Sequence, residues 1–439
     1  MRRCRTGSSV IGPPRSARQN RFPKGHGMKL SVAYTFEPGI IPLLAAFPEV
    51  KELYGKLSRD IIGGGRSTIT LRPTTHRALA SSVAQAHRHG LSFNYLINGA
   101  SLYGMEQTRR GQAAIRRQLD MLAGIGVDAV TVASPYLLRL VKKQYPSFKV
   151  RVGVFALVDT PLKVRQWEAM GADTICVSAI ACNRDFEKLD NLKRASKGEL
   201  QLIVNASCLL GCCYEPTHMH LLTQSSMRRG GRRGFCLDYC FLNCSSAKLK
   251  DPTLFLRATW IRPEDLHLYE EIGFHSFKIV ERSCPGDLLL KRVAAYARRS
   301  FSGNLLEIAG PVAQIKREQG TPMSQRMRMI GTMLRPWYVK ISTLLEMKRY
   351  AEAAIPHEYD KGKAPVYIEN AALEGFVEGM RNRKCSGLDC TLCGYCESKA
   401  KEAVSIDESY RAGTLARAEK LDRGLVTSSH WLSGRRPRS

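Results

Sequence analysis

Short β-branched runs alternate with longer amphipathic stretches along most of the chain. Runs at 29–36 (KLSVAYTF), 67–71 (STITL), 91–98 (LSFNYLIN), 127–133, 149–157, 173–178, 200–206 and 275–281 predict eight strands. Helical periodicity falls between them, for example over 108–125, 162–171, 185–196 and 263–273. In GVDAV, GADTI and GFHSF a glycine stands where a helix ends and a strand begins. Eight strand–helix units predict an α/β fold, a (β/α)8 barrel of the TIM type. A doubly wound open sheet is the competing arrangement, and no G-x-G-x-x-G follows the first strand to support it. Gly63-Gly64-Gly65 lacks the Lys-Ser/Thr of a phosphate loop and reads as a turn.

The pattern divides the chain into a barrel over 28–310 and a helical extension over 320–424. A basic tail at 425–439 is expected to be disordered. Residues 1–27 are acid-free and lack an apolar core, so a secretory signal is not expected. They read as a spurious or disordered extension with Met28 opening the fold, or as a transit peptide. No apolar run of about 18 residues is present, so no membrane span is predicted and the expected location is the cytoplasm. Hydrophobic residues make up 44% and charged residues 24%, which excludes a disordered or collagenous chain. The formal charge is +28. Residues 1–27 hold seven basic residues and no acid, and 411–439 hold seven basic and two acidic, so +16 belongs to the chain between. That balance favours anionic partners.

The fourteen cysteines are unevenly spread. Cys208, Cys212, Cys213, Cys236, Cys240 and Cys244 form one group, and Cys385, Cys390, Cys393 and Cys396 another. In a long chain without an export signal, clustered thiols point to metal or iron–sulfur ligation rather than disulfides. The later group reads C-x4-C-x2-C-x2-C, a complete soft-ligand set for a [4Fe–4S] cluster or Zn²⁺. Its tight spacing is closer to ferredoxin-type ligation than to a zinc ribbon. In the earlier group Cys236, Cys240 and Cys244 share one face if the segment is helical. A cubane takes four thiolates, so one or two of the six are spare and act as small hydrophobes.

Active sites of such barrels lie at the C-terminal ends of the strands. Cys208 follows the seventh strand, which places a Cys-rich insertion, 208–250, on that face. Lys278, Glu281 and Arg282 end the eighth strand on the same rim, as Asn98, Ser134 and Asn205 end others.

The order of these pieces resembles peptidase family U32, the collagenase-like proteins, over 28–310. The resemblance rests on the cysteine just past a strand (NASCLLGCC) and on Gly234-Phe235-Cys236-Leu237-Asp238-Tyr239-Cys240. It rests also on R-P-E-D-L at 262–266, and on Lys278-Ile279-Val280-Glu281-Arg282, where family members carry a similar K-I-E-G-R. It implies a barrel with an oxygen-sensitive [4Fe–4S] cluster. It also implies kinship with oxygen-independent hydroxylation proteins that act on ubiquinone precursors or on bases of ribosomal or transfer RNA. Prephenate is implicated there as oxygen donor, and other members carry a protease label. Under this resemblance Cys208, Cys213, Cys236 and Cys240 are the expected ligands, with Cys212 and Cys244 as rivals. Many members space the first two ligands C-x6-C and carry a cysteine where EDLHL has His267, so the fourth ligand is left open. The group at 385–396 lies outside the resemblance and is expected to be a second site for a [4Fe–4S] cluster or zinc.

A cluster with one labile ligand would activate an oxygen donor at the mouth. Lys278 and Arg282 would hold its carboxylates, and Glu281 would be general acid or base. Three classes follow. The first is a cluster-dependent hydroxylase of an aromatic small molecule, an RNA base or a peptide. The second is a metal- or thiol-dependent peptidase, for which no H-E-x-x-H or G-x-S-x-G is present, although His218-x-His220 offers a tight histidine pair. The third is a non-catalytic iron–sulfur subunit that transfers electrons to a partner of the same family.

Overall fold

The structure is a computed structural model and describes residues 27–58, 60–66, 71–227, 238–311, 339–354, 364–383, 385 and 390–430. Eight parallel strands close a barrel: β1 Lys29–Ala33, β2 Val50–Gly55, β3 Ser92–Ile97, β4 Ala129–Val132, β5 Lys149–Val152, β6 Thr174–Cys176, β7 Glu199–Ile203 and β8 Ser276–Ile279. Closure is made by β8 pairing with β1, Lys278 opposite Ser31.

Seven of these strands coincide with the predicted runs. The second does not. β2 is Val50–Gly55, not 67–71, and residues 67–70 lie outside the described part. The reason is Glu52, which points into the barrel and makes the run look like a surface segment. Ser31 Oγ donates to Glu52 Oε1 at 2.5 Å, Asn94 Nδ2 donates to it at 3.2 Å, and Arg151 Nε lies 2.6 Å from Oε2. β5 is shorter than predicted, because Val154–Ala156 turns into a 3-10 segment.

The helices start where side chains can accept backbone N–H groups. Thr75, Thr108, Thr160 and Asp185 each cap the first turn of the helix that follows. Gly126, Gly171 and Gly273 all have positive φ, as the sequence pattern requires at these helix-to-strand turns. The helices bury Leu79, Val83, Ile115, Leu119, Leu137, Val141, Leu189, Leu289 and Val293 against the sheet.

Beyond the barrel, β9 Val366–Ile368 and β10 Val404–Ile406 pair antiparallel. Around them stand helices Ile341–Ala353, Phe376–Arg383, Tyr395–Ala403 and Glu408–Val426. Asn304 of the barrel unit fastens this extension: its Nδ2 donates to Val366 O at 2.9 Å, and its Oδ1 accepts from Ile368 N at 3.0 Å. Arg262 Nη1 donates to Asn370 O at 2.8 Å. The last helix runs past the expected boundary at 424, and His430 is buried with Nε2 2.8 Å from Leu421 O. Residues 431–439 and 1–26 lie outside the described part. Among the described residues, no helix is long and apolar enough to cross a membrane.

Candidate functional site

The C-terminal ends of the strands share one face. Lys278, the penultimate residue of β8, lies inside the barrel with Nζ 4.0 Å over the Tyr54 ring of β2. The Tyr54 hydroxyl donates to Ile279 O at 3.0 Å and holds that ring in place. Two residues beyond Tyr54, Lys56 donates to Ile62 O at 2.5 Å and stands 3.8 Å from Asp60. Arg66 reaches across and grips Glu281 through Nε at 2.9 Å and Nη2 at 2.7 Å. Arg282 is buried, and neither of its terminal nitrogens has a hydrogen-bond partner among the described residues. Four cations, Lys56, Arg66, Lys278 and Arg282, therefore crowd one mouth. Burial lowers Arg282 to about 10 and Lys56 to about 8, and it lowers Lys278 as well.

Glu281 occupies a strained backbone position, φ 102°. In the resembling K-I-E-G-R the glycine falls there, the residue for which such a φ is unstrained. Burial opposes its ionisation, but Arg66, Ser283 and Arg292 together hold its carboxyl below the usual carboxylate range. Its surroundings favour the ionised carboxylate, paired with Arg66. Asn205 anchors the same loop, donating to Val280 O at 2.9 Å and accepting from Val280 N at 2.6 Å. Asn98 is buried with Oδ1 unpartnered among the described residues, and Ser134 precedes the helix Pro135–Gln144.

Among its described residues the Cys-rich insertion carries two helices, Glu215–Ser226 and Tyr239–Lys250. Asp238 begins the second: Oδ1 accepts from Phe241 N at 2.9 Å, and Oδ2 lies 2.8 Å from His218 Nε2. Cys240, Cys244 and Lys248 follow at i, i+4 and i+8, on one face. That face meets the loop of Cys208, Cys212 and Cys213. Burial pushes the Cys240 thiol up to about 11, and Asp238, Cys212 and Cys213 raise it further. Burial also pushes Cys244 up to about 12, with Lys248 opposing and Cys208, Cys212 and Asp238 adding to the rise. Lys248 is itself buried among Cys244, Cys208 and Cys212, and its ammonium donates to Ser207 O. Cys208 in turn feels Arg66, so the thiols and the basic mouth adjoin.

Five of the six cysteines of this group are thus brought together, and Cys236 lies outside the described residues. His267 is exposed, with its Nδ1 2.9 Å from Glu264 O. Among the described residues no three His, Cys, Asp or Glu side chains stand around a common metal position. Lys56, Arg66 and Lys248 escaped the sequence reading. Lys56 follows a strand that its own charged residues disguised, Arg66 follows the Gly63-Gly64-Gly65 turn, and Lys248 lies one helical turn beyond Cys244.

The chain is similar to several known proteins. An uncharacterized protease of Methanocaldococcus jannaschii is 26% identical over 347 residues, 79% of this chain and 87% of that protein. The tRNA hydroxylation protein P of Escherichia coli is 22% identical over 185 residues, 41% of this chain and 38% of its own length. A solved U32 peptidase structure is 22% identical with a TM-score of 0.43, covering 59% of this chain and 95% of that one. The family model of peptidase family U32 matches residues 65–300, more than half of the chain, and the chain belongs to that family.

Proposed function

We propose that the barrel mouth binds an anionic organic substrate beside an iron–sulfur cluster, and that the chain carries out an oxygen-independent hydroxylation. The observation that carries this reading is Arg282, a buried guanidinium whose two terminal nitrogens have no hydrogen-bond partner among the described residues, set among three further cations of which Arg66 adjoins Cys208. Unpaired buried charge is costly, and a carboxylate ligand would answer it. The donor set also fits a cluster. Cys208, Cys212, Cys213, Cys240 and Cys244, with Cys236, offer more than the four thiolates a cubane takes. Lys248, buried among three of them, offsets thiolate charge.

A bound cluster supplies electron transfer and Lewis acidity. The protein's groups do the rest. Arg282 and Lys278 clamp carboxylates, the guanidinium by a bidentate pair. Glu281 stays ionised, fixes Arg66 at the rim and can accept a proton. The basic body of the chain and the hydroxylation named for the Escherichia coli relative favour an RNA base as the group hydroxylated.

The His218–Asp238 pair beside Cys240 supports a second reading, a thiol hydrolase. A thiol held near 11 is poorly activated for that task, which places it behind the first. Anaerobic purification with iron, sulfide and zinc analysis tests the choice. Iron and sulfide that each fall by about four per chain in Cys240→Ser/Cys244→Ser support the cluster. Zinc without sulfide, together with peptide cleavage abolished by His218→Ala, overturns it in favour of the hydrolase.

A further inference from the structure

The group at 385–396 has no place in the barrel mouth, yet its surroundings repeat the same theme. Cys390 and Cys393 lie on a single helical turn, Cys390–Cys393. Gly394, at φ 64°, then reverses the chain into the helix Tyr395–Ala403, whose first turn carries Cys396. Cys385 arrives from the other side, after the helix Phe376–Arg383, with its thiol 3.6 Å from Met380 O. Burial raises the Cys385 thiol, and Cys396, Cys390 and Cys393 raise it further. Cys396 is buried, while Cys390 and Cys393 face outward.

Two arginines stand against this group. Arg184 is buried, and none of its three nitrogens makes an aligned hydrogen bond among the described residues. Its guanidinium stacks 4.3 Å above the Trp260 ring, and its charge reaches both Cys385 and Cys396. Arg257 donates from Nη2 to Cys390 O at 3.3 Å and also acts on the Cys396 thiol. Trp260, Phe376 and Tyr395 form an aromatic wall beside them, with ring centroids 6.1 and 5.5 Å apart. Two cations thus stand beside the four thiols, one of them the buried Arg184 over Trp260. Four thiolates around a cubane leave about two negative charges, which these cations answer.

We propose that Cys385, Cys390, Cys393 and Cys396 hold a [4Fe–4S] cluster of their own, with Arg184 and Arg257 as its counter-charges. The C-x2-C-x2-C run is the three-ligand spacing of bacterial ferredoxins, and Cys385 supplies the fourth thiolate from a separate segment. The backbone of Arg257 also accepts from Leu210 N at 3.2 Å, so one residue joins this site to the loop of Cys208.

The proposal does not rest on the reading of the mouth, and the test separates them. The full chain is prepared anaerobically, reconstituted with iron and sulfide, and compared with Cys390→Ser/Cys393→Ser, whose side chains are exposed and whose loss disturbs no packing. Iron and sulfide are each expected to fall by about four per chain in this variant, while Cys240→Ser/Cys244→Ser leaves that portion in place. Arg184→Gln and Arg257→Gln are expected to retain the iron and to move the reduction potential of that portion to more negative values. Unchanged iron in Cys390→Ser/Cys393→Ser, or loss of zinc in place of iron, overturns the proposal.

Discussion

A guanidinium that is buried without hydrogen-bond partners destabilises the fold that holds it. Arg282→Met is therefore expected to raise unfolding stability by about 1–3 kcal/mol in denaturant titration. The same variant should weaken binding of a dicarboxylate probe such as malonate by roughly thirtyfold in calorimetry, about 2 kcal/mol of charge-assisted hydrogen bonding. Lys56 gives a pH signature. Its folded pKa is lowered by burial to about 8, below its ordinary 10.5. The cost of keeping it charged is fully present below the folded value and is relieved as the pH rises from about 8 towards 10.5. Stability should rise across that window in wild type and flatten in Lys56→Met. Glu281 runs the other way: its lowered pKa gives stability that is present above the ordinary carboxyl range and lost as the pH falls through the folded value. Its backbone strain separates two substitutions. Glu281→Gly should be more stable than Glu281→Ala by about 1 kcal/mol, because only glycine adopts that φ without strain. Periodicity does not signal such strain; the signal lies in K-I-E-G-R, whose glycine falls at position 281.

At the scale of elements, the helices were legible because their caps and apolar faces are local. Thr108 and Asp185, for example, announce the helices Arg109–Gly124 and Phe186–Ala195. β2 was not, because its inward Glu52 is satisfied only by Ser31, Asn94 and Arg151, from three other strands. Asp238 does two tasks, capping the helix that carries Cys240 and Cys244 and pairing with His218. Asp238→Ala should cost about 1 kcal/mol in denaturant titration, whereas Asp238→Asn keeps the cap and should cost less. The turn at Gly63 is fixed by close approach: a Cβ there would lie 2.1 Å from the Thr223 carbonyl oxygen. Gly63→Ala should cost about 1–3 kcal/mol and displace the segment that delivers Arg66 to Glu281.

Across the whole molecule, the barrel and the extension share one hydrophobic core, to which polar fastenings are added. Asn304→Ala leaves the Val366 carbonyl and the Ile368 N–H without their partner, a loss of about 1–3 kcal/mol. Limited proteolysis should then cut the extension before the barrel. The sequence by itself determined the barrel, the insertion after β7, the grouping of cysteines and the rim positions of Lys278, Glu281 and Arg282. These follow from periodicity, capping and spacing, which neighbouring residues carry. Only the tertiary structure decided that Lys56, Arg66 and Arg282 share one mouth, that Lys248 lies among three thiols, and that Arg184 and Arg257 face the second group. Those charges come from distant segments, and their cost or benefit depends on burial and partners, which exist only once the chain has closed.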